Sequence, residues 1–272
     1  MQSSTFSERA LSISVGSLSP TINWPTLEEQ EFDLPPLDQQ RDIAELLWGV
    51  ESLRRRLVTM RAAMQRTIDR SLNAIVATAS MTTLGAHLER IEAGRSPSAA
   101  GRPAESGELG VLKVSAVGDG VFRSDENKAL LSIDDFDQSR EVRPGDLLVS
   151  RANASISGVA RPCVVDDVRD GLMLSDKTLR LIPKEGTSSQ FLLLSMRTAT
   201  FRRHVRLSAN GTEAKNISQA KLRLGPVPDL AHVEQALLID DLQPRTSAIL
   251  AIERQLALVE LLGAAVCREV GI

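Results

Sequence analysis

From Ile43 onward the apolar residues of this chain step by three and four: Ile43, Leu46, Val50, Leu53, Leu57, Met60, Met64. That spacing is the heptad seam of a coiled coil, about three heptads long. After Met64 the strict step lands on Thr67 and Ser71, so the seam slides to Ile68, Leu72 and Ile75, a slip that relaxes a supercoil locally. Pro35 and Pro36 close an extended segment, and Leu37-Asp38-Gln39-Gln40 opens the helix, with Asp38 placed to act as N-cap acceptor. The opposite face carries Glu45, Glu51, Arg54, Arg55, Arg56, Arg61 and Arg66. A helix of about 40 residues is about 60 Å long at 1.5 Å per residue. Its seam must be covered, by a core or by a second helix, and periodicity alone does not choose between them.

An internal repeat supplies a candidate partner. Offsetting the chain by 195 residues without gaps sets Gly16-Ser17 on Gly211-Thr212, Ile22 on Ile217, Leu27 on Leu222 and Gln40 on Gln235. Each copy reads as a Gly-containing loop, a short ordered segment, a Pro-rich crossover and a long helix. The second helix spans 230–268, with a seam of Val233, Leu238, Leu242, Ile249, Ile252, Leu256, Val259 and Val266. Pro244 cannot donate the i→i−4 bond. It falls on Gly49 under the offset, so both helices are expected to bend or break at that level. Two long seams at opposite ends of a chain are most simply satisfied by packing on each other as an antiparallel coiled coil.

Residues 81–224 have a different texture. MTTLGAHLERIEAG reads as a turn and a strand, and GVLKVSAVGDGVF as a strand ending in a Gly-Asp-Gly turn. PGDLLVSR, ISGVARPCVVDDV and LMLSDKTLRLIPK read as further strands. SSQFLLLSMRTATFRRHVRLSA reads as a helix capped by Ser188 or Ser189, with Phe191, Leu192, Met196 and Phe201 inward. Strands first and helix last describe an α+β domain.

The chemistry suggested by the sequence is binding rather than catalysis. There is no G-x-x-x-x-G-K-[ST], no G-x-G-x-x-G after a strand and no nucleophile elbow. His87, His204 and His232 are isolated, and Cys163 and Cys267 are far apart, so neither a metal site nor a disulfide framework is expected. Buried thiols of this kind fit a reducing cytoplasm. Asp134-Asp135-Asp137 and Asp166-Asp167-Asp170 sit at predicted turns, where Asp is favoured for local hydrogen bonding. MQSSTFSERA has no signal-peptide pattern, and no apolar run spans a membrane. With 42% hydrophobic and 25% charged residues the composition is that of a globular protein.

Net charge is −3, but it is divided. Residues 81–224 carry 21 Lys+Arg against 18 Asp+Glu. Residues 195–224 hold Arg197, Arg202, Arg203, Arg206, Lys215, Lys221 and Arg223 against Glu213 alone. Clustered positive charge is the footprint of a phosphate backbone, although any single basic run is more often a solvated helix face. Arg151 and Asn153 close the PGDLLVSRAN strand. Arg can fork onto guanine and Asn onto adenine, or both side chains can satisfy loop carbonyls. Lys215, in the Gly211–Asn216 loop, is placed for a phosphate contact.

Taken together, PPLDQQRDIAELL, PGDLLVSRANA, SDKTLRLIP and LSANGTEAKNIS, in that order over roughly 14–262, resemble the specificity (S) subunit of type I restriction–modification enzymes. The resemblance implies an α+β target-recognition domain plus two long helices forming an antiparallel coiled coil. The divisions it implies are 1–36 as the tail of a preceding recognition domain with its crossover, 37–80 as the first helix, 81–229 as the DNA target-recognition domain and 230–272 as the second helix. It implies a non-catalytic, cytoplasmic subunit without a cofactor of its own. The subunit would direct methyltransferase (M) subunits, and a restriction (R) subunit where one is present, to a bipartite site in double-stranded DNA. M subunits would carry S-adenosylmethionine. The DNA-binding set is then Arg151, Asn153, Lys177, Arg202, Arg203 and Lys215. The family usually carries two recognition domains and this chain has one, so it reads either as part of a longer subunit or as a half-length subunit that forms a homodimer. The alternative is a coiled-coil scaffold of a methyltransferase complex without DNA specificity.

Overall fold

The computed structural model describes residues 4–16, 20–31, 35–118, 120–211 and 214–269. Two compact units result: residues up to Arg66 with those from Arg245 onward, and Thr67–Pro244.

The first unit holds α1 (Ser4–Ile13), α2 (Trp24–Glu28), most of α3 (Leu37–Thr78) and the distal part of α7 (His232–Glu269). Leu57, Ile252 and Val259 form a buried cluster, flanked by Val50, Met64 and Leu256. Val50 lies opposite Gly263, and Arg61 bridges Glu253 at 3.3 Å. As residue numbers rise along α3 the facing numbers fall along α7, so the pair is an antiparallel coiled coil.

Several expectations for these helices are corrected. Only one line of the α3 seam is packed, through Val50, Leu57 and Met64, with Ile43 half-buried. Leu46, Leu53 and Met60 remain 49, 47 and 43% exposed. One neighbouring helix can cover one strip of a cylinder, and the second line stays open. Val233 is likewise exposed. Asp38 lies inside the first turn of α3 rather than capping it. The expected break is absent at both levels: α3 runs through Gly49 and α7 through Pro244. Within a 38-residue helix the proline removes a single bond, while buried residues continue on both sides at Leu242 and Ile249. The slide of the seam is present, with Ile68 and Leu72 buried.

The second unit contains β1 (Met81–Thr83), β2 (Leu88–Ala93), β3 (Gly110–Leu112), β4 (Asn127–Ala129), β5 (Leu147–Ser150), β6 (Ala152–Asn153), β7 (Pro162–Val164), β8 (Leu172–Met173), β9 (Thr178–Pro183), α4 (Ser189–Arg197), α5 (Ala199–Ser208), β10 (Lys215–Asn216), α6 (Gln219–Arg223) and β11 (Pro226–Pro228). Strands order β2-β9-β5-β7 in an antiparallel sheet and β4-β3-β8 in a smaller one. The predicted strand at 110–122 stops at Leu112 and gives way to a single turn at Val114–Ala116. Asp119, in the predicted Gly-Asp-Gly turn, lies outside the described residues. Leu112, Phe122, Leu148, Cys163, Leu172 and Leu174 share one core cluster. Burial pushes the Cys163 thiol up to about 12, with Asp166 acting in the same direction. The single helix expected over 188–209 is two. It divides at Thr198, whose Oγ1 accepts from Phe201 N at 3.3 Å and so caps α5.

The 195-residue offset reappears element by element. α1 falls on α5, α2 on α6, and the start of α3 on the start of α7. Val15 and Thr21 exchange two backbone bonds of 3.0 Å, as Asn210 and Asn216 do at 2.9 and 2.8 Å. Gly16 (φ 108°) and Gly211 (φ 122°) both take the left-handed conformation that glycine allows without a Cβ penalty. Gln40 Nε2 donates to Pro35 O at 2.7 Å, and Gln235 Nε2 donates to Leu230 O at 2.9 Å. Both ends of the chain therefore fold the same unit.

Candidate nucleic-acid interface

β5 and β7 are adjacent and antiparallel, so a two-residue turn would connect them. Eleven residues, 151–161, intervene instead. The chain leaves the sheet after Ser150, and β6 pairs with β10, placing Asn153 opposite Lys215. Arg151 N donates to Lys177 O at 2.8 Å, and Ile217 N donates to Arg151 O at 3.1 Å. Four of the six residues expected from sequence, Arg151, Asn153, Lys177 and Lys215, thus converge on one connection although they are up to 64 positions apart.

Their side chains are used differently. Lys177 is exposed. Arg151 is half-buried, with Nη1 3.4 Å from Asp176 O, and its Nε is buried without a hydrogen-bond partner among the described residues. Asn153 Oδ1 accepts from Ser155 N at 3.0 Å, a local turn bond. The Lys215 ammonium donates to Gly211 O and so ties its own loop. Thr212 and Glu213 of that loop lie outside the described residues.

Arg202 and Arg203 complete the set from α5. Phe201 and Val205 are fully buried and anchor this helix, leaving Arg203 and Arg206 exposed. Arg202 turns to the connection: Nη1 donates to Ala160 O at 2.9 Å, and Nη2 donates to Ser157 O at 3.1 Å and Val159 O at 2.9 Å. Two further residues, outside the expected DNA-binding set, hold the same segment. Ser150 Oγ donates to Gly158 O at 2.7 Å and accepts from Arg161 N at 2.9 Å. Arg161 Nε donates to Ser157 O at 2.7 Å. Ser150 lies in the PGDLLVSRANA stretch, but that pattern does not announce its bonds to the loop, and Arg161 belongs to no motif.

The remaining polar candidates have local roles. Asp137 accepts from Ser139 N and Asp166 from Asp167 N, both at 3.0 Å. His204 Nε2 meets Lys221 O at 2.7 Å, and His232 Nδ1 meets Gly186 O at 3.1 Å. Among the described residues no group of three or more His, Cys, Asp or Glu is placed to hold a metal, and no helix is long and apolar enough to cross a membrane.

No protein-family model matches the chain. It is 31% identical over 148 residues to the type I restriction enzyme EcoEI specificity subunit of Escherichia coli. That match covers 53% of this chain and 25% of the relative, so the chain spans about a quarter of that protein's length. Among solved structures, the fold is similar to the HsdS subunit from Thermoanaerobacter tengcongensis (TM-score 0.50, 18% identity, 98% of this chain and 67% of that one). It is also similar to the type I restriction–modification S subunit from M. genitalium (TM-score 0.57, 13% identity, 97% of this chain and 69% of that one). The resemblance to type I specificity subunits is therefore present in sequence and in fold, including the mixed domain and the two long helices.

Proposed function

We propose that this chain is a non-catalytic DNA sequence-recognition subunit that directs methyltransferase subunits, and a restriction subunit where one is present, to a bipartite site. The observation that carries the reading is the convergence of Arg151, Asn153, Lys177 and Lys215 on the 151–161 connection, beside the exposed Arg203 and Arg206 of α5. Cations around a polar, rigidly held loop combine phosphate attraction with groups that can address base edges. The 81–229 segment is the recognition domain, and residues 1–36 are the closing element of another. Supporting the latter, Ile217 and Leu222 are fully buried and Gln235 nearly so, whereas their repeat partners Ile22, Leu27 and Gln40 are half-exposed. The open line Leu46, Leu53 and Met60 is the docking strip for a methyltransferase subunit.

The test is duplex binding by the full chain with its methyltransferase subunits across a salt series. Removing Lys177 and Lys215 together is expected to weaken binding to all sequences alike. The slope of log affinity against log salt should become shallower by about 0.9 per lost phosphate contact. An unchanged slope would remove these lysines from the interface. The scaffold alternative draws on the same exposed strip. It would be favoured by intact methyltransferase binding with no sequence preference at low salt.

A further inference from the structure

Arg202 belongs to the DNA-binding set that the sequence suggests, but its geometry points elsewhere. Three carbonyls of one loop, those of Ser157, Val159 and Ala160, accept from its two terminal nitrogens. The loop it grips has a costly conformation. Ala160 is fully buried at φ 52°, in the left-handed region that L side chains avoid, and is the one non-glycine residue there among those described. At Gly158 there is no room for a side chain: an added Cβ would sit 2.3 Å from Asn153 Cγ. Ser150 holds Gly158 O, and Arg161 shares Ser157 O with Arg202. Backbone held this way by several independent bonds is over-determined, and such segments cluster where geometry is used. The segment so fixed displays Ala154, Ser155 and Ser157, all exposed, at a tip that joins two strands needing no such connection. Lys177 and the exposed Asp176 meet Arg151 at the segment's root, and Lys215 pairs with Asn153.

We propose that Arg202 is a positioning residue for sequence discrimination: through its carbonyl clamp it sets residues 153–158 as the base-facing element, with the Ser155 and Ser157 hydroxyls at the reading tip. This rests on the DNA-recognition reading above and assigns Arg202 a task distinct from neutralising phosphate. Its planar fork is what the three carbonyls require. A lysine at the same place would keep the charge and lose the fork.

The experiment uses the full chain with its methyltransferase subunits and a pool of randomised duplexes. Wild type, Arg202→Gln and Arg202→Lys are compared for enrichment of modified sequences, for the salt dependence of binding, and for amide hydrogen exchange over 153–160. Thermal unfolding checks that each variant is folded. Both variants are expected to exchange at least tenfold faster in that segment and to lose at least tenfold in preference between selected and unselected sequences, with the salt slope unchanged. The Ser157→Ala variant, which leaves Ser155 Oγ accepting from Ser157 N at 3.3 Å, should change the preference without altering exchange at 158–160. A lysine variant that behaves as wild type overturns the proposal. So does a glutamine variant that keeps its preference while the slope becomes shallower by about 0.9, because that is the signature of a phosphate contact. Absence of any preference in the wild-type arm would overturn the recognition reading itself, and the clamp's role in it, before a variant is compared.

Discussion

Arg180→Ala is expected to lower the unfolding free energy of the protein by about 3–5 kcal/mol, the usual cost of breaking a buried ion pair from one side. Arg180 sits on β9, in the interior of the four-stranded sheet, with its side chain 10% exposed. Its nitrogens reach Glu92 at 2.6 and 2.8 Å and Asp146 at 3.0 Å, and donate to the carbonyls of Ser139 and Glu141 at 2.8 Å each. Truncation leaves two carbonyls without this donor and removes the Arg180 charge from Glu92 and Asp146, which keep only Arg90 and the Arg143 N–H, at 2.8 and 3.0 Å, so much of their desolvation goes uncompensated. Burial raises the Glu92 carboxyl, but the hydrogen bonds from Arg180 and Arg90 outweigh it and hold the group below its ordinary value. A depressed folded value means that this stabilisation is complete above the unfolded value of about 4.3 and is lost as pH falls through the folded one. Urea unfolding followed by circular dichroism at neutral and acidic pH should therefore show wild type losing stability on acidification. The variant should be weaker throughout and less sensitive to acid on this account. A variant within about 1 kcal/mol of wild type, the typical change for a point mutant, would contradict this.

The second large effect is expected at the coiled coil. Leu46, Leu53 and Met60 repeat every seven residues beside the covered line of α3, and all three are more than 40% exposed. Apolar residues in such a strip favour a partner surface. Replacing Leu53 and Met60 with glutamate is expected to weaken methyltransferase-subunit binding by at least 100-fold. This corresponds to a loss of about 3 kcal/mol, within the range of interface hot spots. The helix pair should remain intact, since Leu57, Ile252 and Val259 are untouched. Titration calorimetry measures the first effect and circular dichroism the second. Unchanged affinity would place the docking surface elsewhere.

Local pattern made much of this architecture legible. The bounds of α3, the slide to Ile68 and Leu72 and the 195-residue repeat follow from spacing, because side-chain direction along a helix is fixed by residue number. What spacing could not reveal was which line of a two-line seam a single partner would cover, so Leu46, Leu53 and Met60 read as buried. Nor could it reveal that Pro244 leaves α7 continuous, because flanking packing is a tertiary property. Residue type brought Arg151, Asn153, Lys177 and Lys215 into consideration, yet the pairing of β6 with β10 that unites them is non-local. Arg202 shows the limit most clearly. Its place in a basic run suggested a phosphate partner, and only the fold reveals the three carbonyls that occupy it.

Mapping methylated bases across the genome of a host that expresses the methyltransferase subunits, with and without this chain, tests the central claim most directly. The account predicts modification at one motif made of two specific parts at a fixed spacing, present only when the chain is expressed. The same base modification in both cultures, or no modified motif in either, would contradict it.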